Sequence, residues 1–390
     1  MVNFEYYNPA KIVFGKSQIS KVASLIKEHG GTRVLMVYGG GSIKKNGVYQ
    51  QVVNSLNEGG LEFVELSGVK PNPRLSKVLE GAQLCKQFNA DFILAVGGGS
   101  TIDTAKAIGV AVSNDCDVWD FYMTGAPIPY SLPTGVVLTI PAAGSETSYA
   151  SVITNENGNF KRGIHDNIII PRFAVIDPEV SYSLSRYQMS CGASDILAHL
   201  MERYFTKVEN TELTDRMIEA VAVTIINNAI KADDNPTDYN TRAEIMLSGT
   251  FAHNNLLDCG RIGDWGSHNI EHELSGSYDI AHGAGLSIIF PAWIKYVWRE
   301  MPQRFARFAE KVWGVEYYPG QEEHAVNMMI ERLKSWYRHL GLPVTLTEAG
   351  IDDSKFEEMA HRALVGREKG FGNMKRLTKD DIIEIFKIAL

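Results

Sequence analysis

A carboxylate and several imidazoles share helical spacing in the second half of the chain. Asp195 and His199 lie four residues apart, so both side chains project from one face of a helix. His268 and His272 repeat that spacing, and His282 precedes another helical pattern. Carboxylate and imidazole ligands suit a divalent first-row metal such as Fe(II) or Zn(II). We therefore predict a metal site. The spacing alone does not decide between His268 and His272. For any single histidine a capped or core role is the more common one, but that explanation is weaker for the group.

Two glycine turns form a second group of candidate residues. Each follows a predicted strand; the turns are Gly39, Gly40, Gly41 and Ser42, and Gly97, Gly98, Gly99 and Ser100. Glycine lets the backbone approach a phosphate closely, and a helix that follows offers free N–H groups. One such turn is equally well explained as a tight connection, but two copies at strand ends favour a nucleotide site. Asp103, three residues after Ser100, fits either a ligand contact or a helix cap.

A third stretch, residues 139–146, follows another predicted strand and is rich in small residues. It contains Thr139 and Ser145, and it fits either close approach of a ligand or an ordinary strand-ending loop. Lys161 and Arg162 lie in a polar, turn-like stretch. That setting predicts a solvated surface pair.

The elements that must position these residues alternate between strand and helix in the first half. Predicted strands cover residues 33–38, 62–66, 91–96, 136–140 and 173–176, and predicted helices cover 19–28, 48–57, 75–88 and 101–113. This alternation predicts a mostly parallel sheet with helices on both faces. Long helical patterns dominate the rest of the chain. We therefore predict an α/β domain over residues 1–180 and an all-α domain over residues 181–390.

Length and composition narrow the classes of function. The chain has 390 residues, 45% of them hydrophobic, and a formal net charge of −8. This apolar content excludes a mainly disordered chain, and the acidic balance provides no general basic field for nucleic acid or an anionic membrane. The four cysteines form no CxxC pair, which favours a reducing compartment. The first residues lack the apolar core of a secretory signal, and no run approaches about 20 apolar residues. We expect a cytoplasmic protein that acts on small molecules.

Over essentially its whole length the sequence resembles the iron-containing (group III) alcohol dehydrogenase family, and within it the NAD(P)H-dependent butanol dehydrogenases and broad-range aldehyde reductases. The motifs that carry the resemblance are NPAKIVFG, YGGGSIKKNGVY, SGVKPNPRLSKV, LAVGGGSTIDTAKAI, IDP and YDIAHGAGLSIIFPAWIKY. The resemblance implies a Rossmann-like N-terminal domain, a helical C-terminal domain, and a catalytic cleft between them. This is the fold of the dehydroquinate synthase-like and iron-dependent alcohol dehydrogenases.

The same resemblance implies roles for individual residues. The implied metal ligands are Asp195, His199, His268 and His282. Residues 97–100 would hold the pyrophosphate of the cofactor, and Thr139 and Ser145 would border its nicotinamide half. We expect His272 and Asp103 to act in catalysis, His272 in proton relay or substrate contact. One departure is Ala143, since many members of the family carry a threonine there.

The first glycine turn bears on the choice of cofactor. Members of the family that prefer NADH often carry an acid at the position of Gly39, where it binds the ribose hydroxyls. Its absence removes repulsion against a 2′-phosphate, and Lys44, Lys45 and Lys161 add positive charge. We predict that NADP(H) is favoured over NAD(H).

The resemblance predicts reversible hydride transfer between nicotinamide C4 and the carbonyl carbon of a short- to medium-chain aldehyde such as butanal. It further implies a homodimer formed through the N-terminal strand region. Three alternatives stay open at this point: a polyol (glycerol-type) dehydrogenase, a dehydroquinate synthase-like lyase, and a non-catalytic metal- or nucleotide-binding protein.

Overall fold

A computed structural model describes all residues 1–390. The chain forms two compact units. The first, here called the sheet unit, comprises Tyr7–Leu184 and Pro236–Asn255. The second, here called the helical unit, comprises Met1–Tyr6, Ser185–Asn235 and Leu256–Leu390. The division into an α/β domain over residues 1–180 and an all-α domain over residues 181–390 stays a prediction.

The sheet unit contains eight strands: β1 Lys11–Phe14, β2 Arg33–Tyr38, β3 Glu62–Leu66, β4 Phe92–Gly97, β5 Thr134–Leu138, β6 Ala150–Asn155, β7 Phe160–His165 and β8 Phe173–Ile176. Six of them form a parallel sheet with the order β1-β8-β5-β4-β2-β3. A separate antiparallel pair is formed by β6 and β7. The predicted parallel sheet is therefore confirmed.

The central strands are buried on both faces, which explains their unbroken apolar sequences. Along β2, Leu35 and Val37 enter one hydrophobic cluster, whereas Val34 and Met36 enter a second cluster. Because successive side chains of a strand point to opposite faces, these clusters are the two layers of core on either side of the sheet.

Helices cover this sheet and make up nearly all of the helical unit. In chain order the first eight are α1 Val22–Glu28, α2 Ser42–Lys45, α3 Val48–Glu58, α4 Leu75–Phe88, α5 Gly99–Ser113, α6 Val118–Thr124, α7 Arg186–Tyr204 and α8 Glu212–Asp234. The remainder are α9 Tyr239–Ala252, α10 Gly266–Tyr278, α11 His282–Val297, α12 Pro302–Trp313, α13 Glu322–His339, α14 Phe356–Ala363 and α15 Lys379–Ala389. Helix α9 belongs to the sheet unit. No helix combines the length and the apolarity needed to cross a membrane.

The hairpin formed by β6 and β7 is the main element absent from the sequence prediction. It carries Lys161 and Arg162, which are both 4% exposed. The prediction of a solvated surface pair is therefore wrong. Both residues stand in a strand whose neighbours bury them, and Lys161 donates a hydrogen bond to Asn72 Oδ1 at 3.0 Å.

Candidate active site

The two glycine turns lie side by side at one edge of the sheet. The first follows β2 and the second follows β4, and these strands are neighbours in which Tyr38 pairs with Val96. The chain runs outward from β2 to β3 on one side and from β4 to β5 on the other, so the strand order reverses between them. Ligands of open α/β sheets bind at the carboxyl ends of the strands at such a reversal.

The first turn, residues 39–42, has an open surface. Gly41 has a φ of 130°, a backbone conformation that residues with side chains rarely adopt. A Cβ added to Gly40 or Gly41 would meet nothing within 4 Å. Gly40 and Ser42 are exposed. A ligand can therefore approach the backbone of this turn closely.

The second turn, residues 97–100, is glycine-rich for a different reason. A Cβ on Gly97 would lie 2.4 Å from Thr101 Oγ1, and one on Gly98 would lie 2.9 Å from Ile140 Cβ. The turn leads directly into α5, whose N-cap is Gly98. Since the first N–H groups of a helix have no partner within it, this tight turn presents backbone donors at the end of β4.

Asp103 joins the second turn to the loop that follows β5. Its Oδ1 accepts a hydrogen bond from Ser145 Oγ at 2.6 Å, and its Oδ2 accepts one from the backbone N–H of Val152 at 3.0 Å. Helix α5 has no side-chain cap, so the capping role considered for Asp103 is not the one observed. Thr139 lies in the same region, where its backbone N–H donates to Gly97 O at 3.0 Å.

Lys106 is a buried member of this network that the sequence did not single out. Its ammonium donates to Ser145 Oγ at 3.0 Å and to the carbonyl oxygens of Ser148 and Ala150, both at 2.8 Å. Burial lowers the pKa of Lys106 to about 8 and raises the pKa of Asp103. In the sequence, a lysine within an apolar helix is indistinguishable from one whose amine reaches solvent.

A cluster around Lys44 lies beside the first turn. The Lys44 ammonium is 5.3 Å from the centroid of the Tyr38 ring and 4.7 Å from that of Tyr49. Both tyrosine hydroxyls donate to Glu65, at 2.6 and 2.7 Å. The positive charge of Lys44 is thus held next to the end of β2 by two aromatic faces.

In the helical unit, three imidazole nitrogens converge on one carboxylate oxygen. Oδ1 of Asp195 lies 3.5 Å from His199 Nδ1, 3.9 Å from His268 Nε2 and 3.6 Å from His282 Nε2. Asp195 and His199 stand on α7, His268 is in the first turn of α10, and His282 is the first residue of α11. The spacing in α7 therefore does place its two side chains on one face.

The 3.5 and 3.6 Å distances fit a shared cation, and the 3.9 Å distance to His268 is slightly longer. Two donors that are each 2.0–2.2 Å from a tetrahedral ion lie about 3.3–3.6 Å apart. His268 Nε2 is buried and has no hydrogen-bond partner, and such an orphaned acceptor is what a metal ligand presents. The donor atoms of Asp195, His268 and His282 all lie within 4.8 Å of one another. His199 stands beside this group, with its ring centroid 4.8 Å from that of His268.

The electrostatics of this pocket also favour a positive charge. Burial opposes a charge on the His268 ring, but the neighbouring carboxylates of Asp195 and Glu202 outweigh it and raise the pKa of His268 to about 9. Burial, together with His268, lowers the pKa of His199 well below its ordinary value. The anionic groups thus stabilise one added positive charge among the imidazoles, and a divalent cation satisfies the same field.

His272 lies at the margin of this group. Its ring centroid is 5.6 Å from that of His282, and its side chain is half-buried. Donor atoms of Glu271, His272 and His282 form a second set within 4.8 Å. The structure thus separates His268, whose donor atom groups with that of Asp195, from His272, whose donor atom groups with those of Glu271 and His282, a distinction that the spacing left open.

Comparison with known proteins matches both halves of the chain. The profile of iron-containing alcohol dehydrogenases matches residues 9–178, and that of the C-terminal part of the Fe-containing alcohol dehydrogenase family matches residues 190–390. The chain is 41% identical to a probable NADH-dependent butanol dehydrogenase of Bacillus subtilis, and 34% identical to an NADPH-dependent aldehyde reductase of Escherichia coli. Each match covers 100% of both chains. The crystal structure of an NADH-dependent butanol dehydrogenase A from Thermotoga maritima superposes with a TM-score of 0.96 at 42% identity, covering 99% of this chain and 98% of that one.

Proposed function

This chain belongs to the iron-containing alcohol dehydrogenase family, and on that premise we propose that it reduces short- to medium-chain aldehydes such as butanal, and oxidises the corresponding alcohols, with a nicotinamide cofactor and one divalent metal. The observation that carries the proposal is the convergence of three imidazole nitrogens on Asp195 Oδ1 within 3.9 Å. The reaction would be hydride transfer between nicotinamide C4 and the carbonyl carbon.

Asp195, His199, His268 and His282 would hold Fe(II) or Zn(II). When bound there, the ion supplies Lewis acidity that polarises a carbonyl oxygen. Asp195 provides one negative charge against the cation, and the burial of Asp195, His199 and His268 keeps water from competing with them as ligands. Imidazole and carboxylate serve both ions equally well.

The two glycine turns would hold the cofactor. The backbone N–H groups at the start of α5 would bind the pyrophosphate. Thr139 and Ser145 would border the nicotinamide, with Asp103 fixing the hydroxyl of Ser145 by accepting its hydrogen bond. Ala143 adds no hydroxyl to that loop.

We infer that NADPH is favoured over NADH. Gly39 places no acid at the end of β2, and Lys44 lies beside it over the rings of Tyr38 and Tyr49. An absent acid removes repulsion against a 2′-phosphate, and a nearby ammonium adds attraction. The relatives include NADH- and NADPH-dependent enzymes, so family membership leaves this preference to experiment.

His272 would move the proton that accompanies hydride transfer. Its half-buried ring lies near His282 without facing Asp195, a position suited to exchange with solvent. Asp103 would act on the cofactor side through Ser145.

The test is aldehyde-dependent oxidation of NADPH by the purified protein. Butanal turnover should vanish when metal is stripped and return with Fe(II) or Zn(II) added without oxygen. The His268→Ala variant should lose bound metal and turnover together, whereas replacement of the exposed Lys86 by Ala should change neither. A metal-replete and fully active His268→Ala enzyme would refute the ligand assignment. Turnover of glycerol but not butanal would favour a polyol dehydrogenase.

We further propose a cytoplasmic homodimer. Strand β1 is an edge of the sheet, paired only with β8, and Ile12 within it and Tyr7 before it are exposed. Apolar side chains on a free edge fit pairing with a second copy. The four free cysteines, one of them exposed, fit a reducing compartment. Light scattering of the Ile12→Asp variant should report a smaller mass than that of the wild type.

A further inference from the structure

We propose that two buried carboxylates, Glu202 and Glu271, position the imidazoles of the metal site and set their tautomers. This inference rests on the proposed function, because it concerns the affinity of the same site for its metal. Each carboxylate contacts the Nδ1 atom of a histidine whose Nε2 atom lies near Asp195.

Glu202 holds His268. Its side chain is fully buried, and its Oε1 lies 2.8 Å from His268 Nδ1. A carboxylate accepts hydrogen bonds, so Nδ1 carries a proton, and Nε2 is the nitrogen whose lone pair is left for a metal. That lone pair belongs to the buried atom that has no hydrogen-bond partner and lies 3.9 Å from Asp195 Oδ1.

Glu202 also fixes the start of the helix that carries His268. Helix α10 begins after Trp265, which has a φ of 64° and provides no side-chain cap. Glu202 accepts the backbone N–H groups of Trp265, at 2.5 Å, and of His268, at 3.1 Å. A carboxylate of α7 therefore caps α10 and ties the helix of Asp195 and His199 to that of His268.

Glu271 makes the corresponding contact with His282. It is fully buried, and its Oε2 contacts His282 Nδ1 while its Oε1 accepts the Ser275 hydroxyl. Gly285 makes room for this carboxylate, because a Cβ at that position would lie 2.5 Å from Glu271 Oε1. Glu271 thus connects α10 to the first residue of α11.

The two contacts together connect the three helices that carry the proposed metal ligands. Glu202 joins α7 to α10, and Glu271 joins α10 to α11. Carboxylates placed behind metal-binding histidines orient the rings and raise their basicity, and their loss typically weakens metal binding about 10–100-fold. Glu202 and Glu271 are positioning residues, since they act through His268 and His282.

The two sites respond differently to a carboxylate-to-amide change. The three hydrogen bonds that Glu202 accepts all come from N–H groups, two at Oε1 and one at Oε2, so the amide N–H of Glu202→Gln must face at least one of these donors. Glu271 contacts His282 Nδ1 and the hydroxyl of Ser275, which can accept as well as donate. Glu271→Gln can therefore keep its contact with His282 through Oε1, while Glu271→Ala cannot.

Affinity for Zn(II), measured by competition with a chromophoric chelator, tests the inference without relying on turnover. We expect Glu202→Gln and Glu271→Ala to weaken binding about 10–100-fold, and Glu271→Gln to weaken it less than Glu271→Ala. Gly285→Ala should also weaken binding, because its methyl group displaces Glu271. The visible spectrum of Co(II)-loaded protein should shift in the variants that disturb ring orientation.

Glu273→Gln is the matched control. Glu273 is a buried carboxylate of the same helix, but it pairs with Arg362 instead of a metal-site histidine. Its replacement should lower thermal stability and leave Zn(II) affinity unchanged. Circular dichroism of each metal-free variant verifies folding. If Glu202→Gln does not fold, the Zn(II) affinities of Glu271→Ala and Gly285→Ala test the inference.

Folded Glu202→Gln and Glu271→Ala proteins that bind Zn(II) as tightly as wild type would overturn the inference. A loss of affinity in Glu273→Gln equal to theirs would also overturn it, because a general loss of stability would then explain the effect. Failure of the wild-type protein to bind Zn(II), Co(II) or Fe(II) would refute the proposed metal site itself, which is a separate outcome.

Discussion

Lys106 Nζ lies 3.0 Å from Ser145 Oγ, and this buried contact fastens α5 to the loop that follows β5. The same ammonium holds the carbonyl oxygens of Ser148 and Ala150, which start the hairpin of β6 and β7. An ammonium has three donors, and here each of the three has an acceptor. Asp103 accepts a hydrogen bond from the Ser145 hydroxyl. The loop proposed to border the nicotinamide is therefore held from within the sheet unit.

Replacement of Lys106 by Met should weaken cofactor binding. It leaves Ser148 and Ala150 carbonyls without their buried partner, which costs about 1–3 kcal/mol for each unsatisfied group. Because the loop loses its fixed position, we expect the Kd for NADPH to rise about tenfold or more, equivalent to about 1.4 kcal/mol. Fluorescence titration with NADPH measures this change.

Two companion variants sharpen that result. Lys106→Arg keeps the charge and should retain more affinity than Lys106→Met, while Lys86→Met on the exposed face of α4 should bind like wild type. A Lys106→Met protein with unchanged NADPH affinity would show that the loop holds its position without the ammonium.

The strands and the proximity of Asp195 and His199 could be predicted because each follows from a local pattern. The runs that form β2, β3 and β8 have the predicted limits, since buried parallel strands are continuous apolar segments. The four-residue spacing of Asp195 and His199 needs only a helix. What defines the rest of the site is contact between residues far apart in sequence, such as Glu202 with His268. No local pattern specifies such a contact.

The hairpin of β6 and β7 was missed although the sequence carries a signal for it. Asn157-Gly158 stands between its two strands, and Gly158 and Asn159 have φ values of 89° and 54°. A β-rich segment on each side of an Asn-Gly pair favours a hairpin. Reading Lys161 as a surface residue followed from missing this strand, because charge alone predicts exposure.

Gly39→Asp should shift the cofactor preference toward NADH. A side chain fits there, since the Cβ would lie 3.4 Å from Val69 O and Gly39 does not have a positive φ. The new carboxylate would repel a 2′-phosphate, and like charges facing each other cost several kcal/mol. We expect the ratio of kcat/KM for NADPH to that for NADH to fall at least about tenfold, or about 1.4 kcal/mol.

Initial rates with each cofactor, at concentrations well below KM, provide this ratio. Gln50→Glu adds the same charge on the exposed face of α3 and should leave it unchanged. An equal fall in Gln50→Glu would assign the effect to net charge. A Gly39→Asp enzyme with the wild-type ratio would place the 2′-phosphate away from this turn.

Asp381 should make the helical unit sensitive to acid. It accepts hydrogen bonds from Lys375 at 2.8 Å and from Tyr296, and it completes a capping box with Thr378 at the start of α15. Burial raises the pKa of the Asp381 carboxyl, but the hydrogen bonds from Lys375, Tyr296 and Thr378 outweigh burial, so the pKa lies below its usual value. The ionised form therefore stabilises the folded state.

The sign of the pH dependence follows from that direction. The contribution of Asp381 is complete above the unfolded pKa of about 3.9 and is lost as pH falls through it toward the folded value. Asp381→Asn should lower the free energy of unfolding at pH 7 by about 1–2 kcal/mol, with a smaller difference from wild type at pH 3. Urea denaturation at both pH values tests this. Asp380→Asn, at an exposed neighbour, should have little effect, and a pH-independent difference for Asp381→Asn would contradict the assignment.

His272→Ala should separate proton transfer from metal binding. The ring of His272 lies near that of His282, and its donor atom groups with those of Glu271 and His282 and not with that of Asp195. A group that transfers a proton in the transition state contributes about 10²–10⁴-fold to the rate, so we expect kcat to fall at least about 100-fold while metal content stays at the wild-type level. Metal analysis and kcat on the same preparation measure both quantities.

His272→Asn, which retains a polar side chain without a titrating ring, should be equally slow. Loss of metal from His272→Ala would instead make His272 a ligand, and wild-type kcat would assign the proton to solvent.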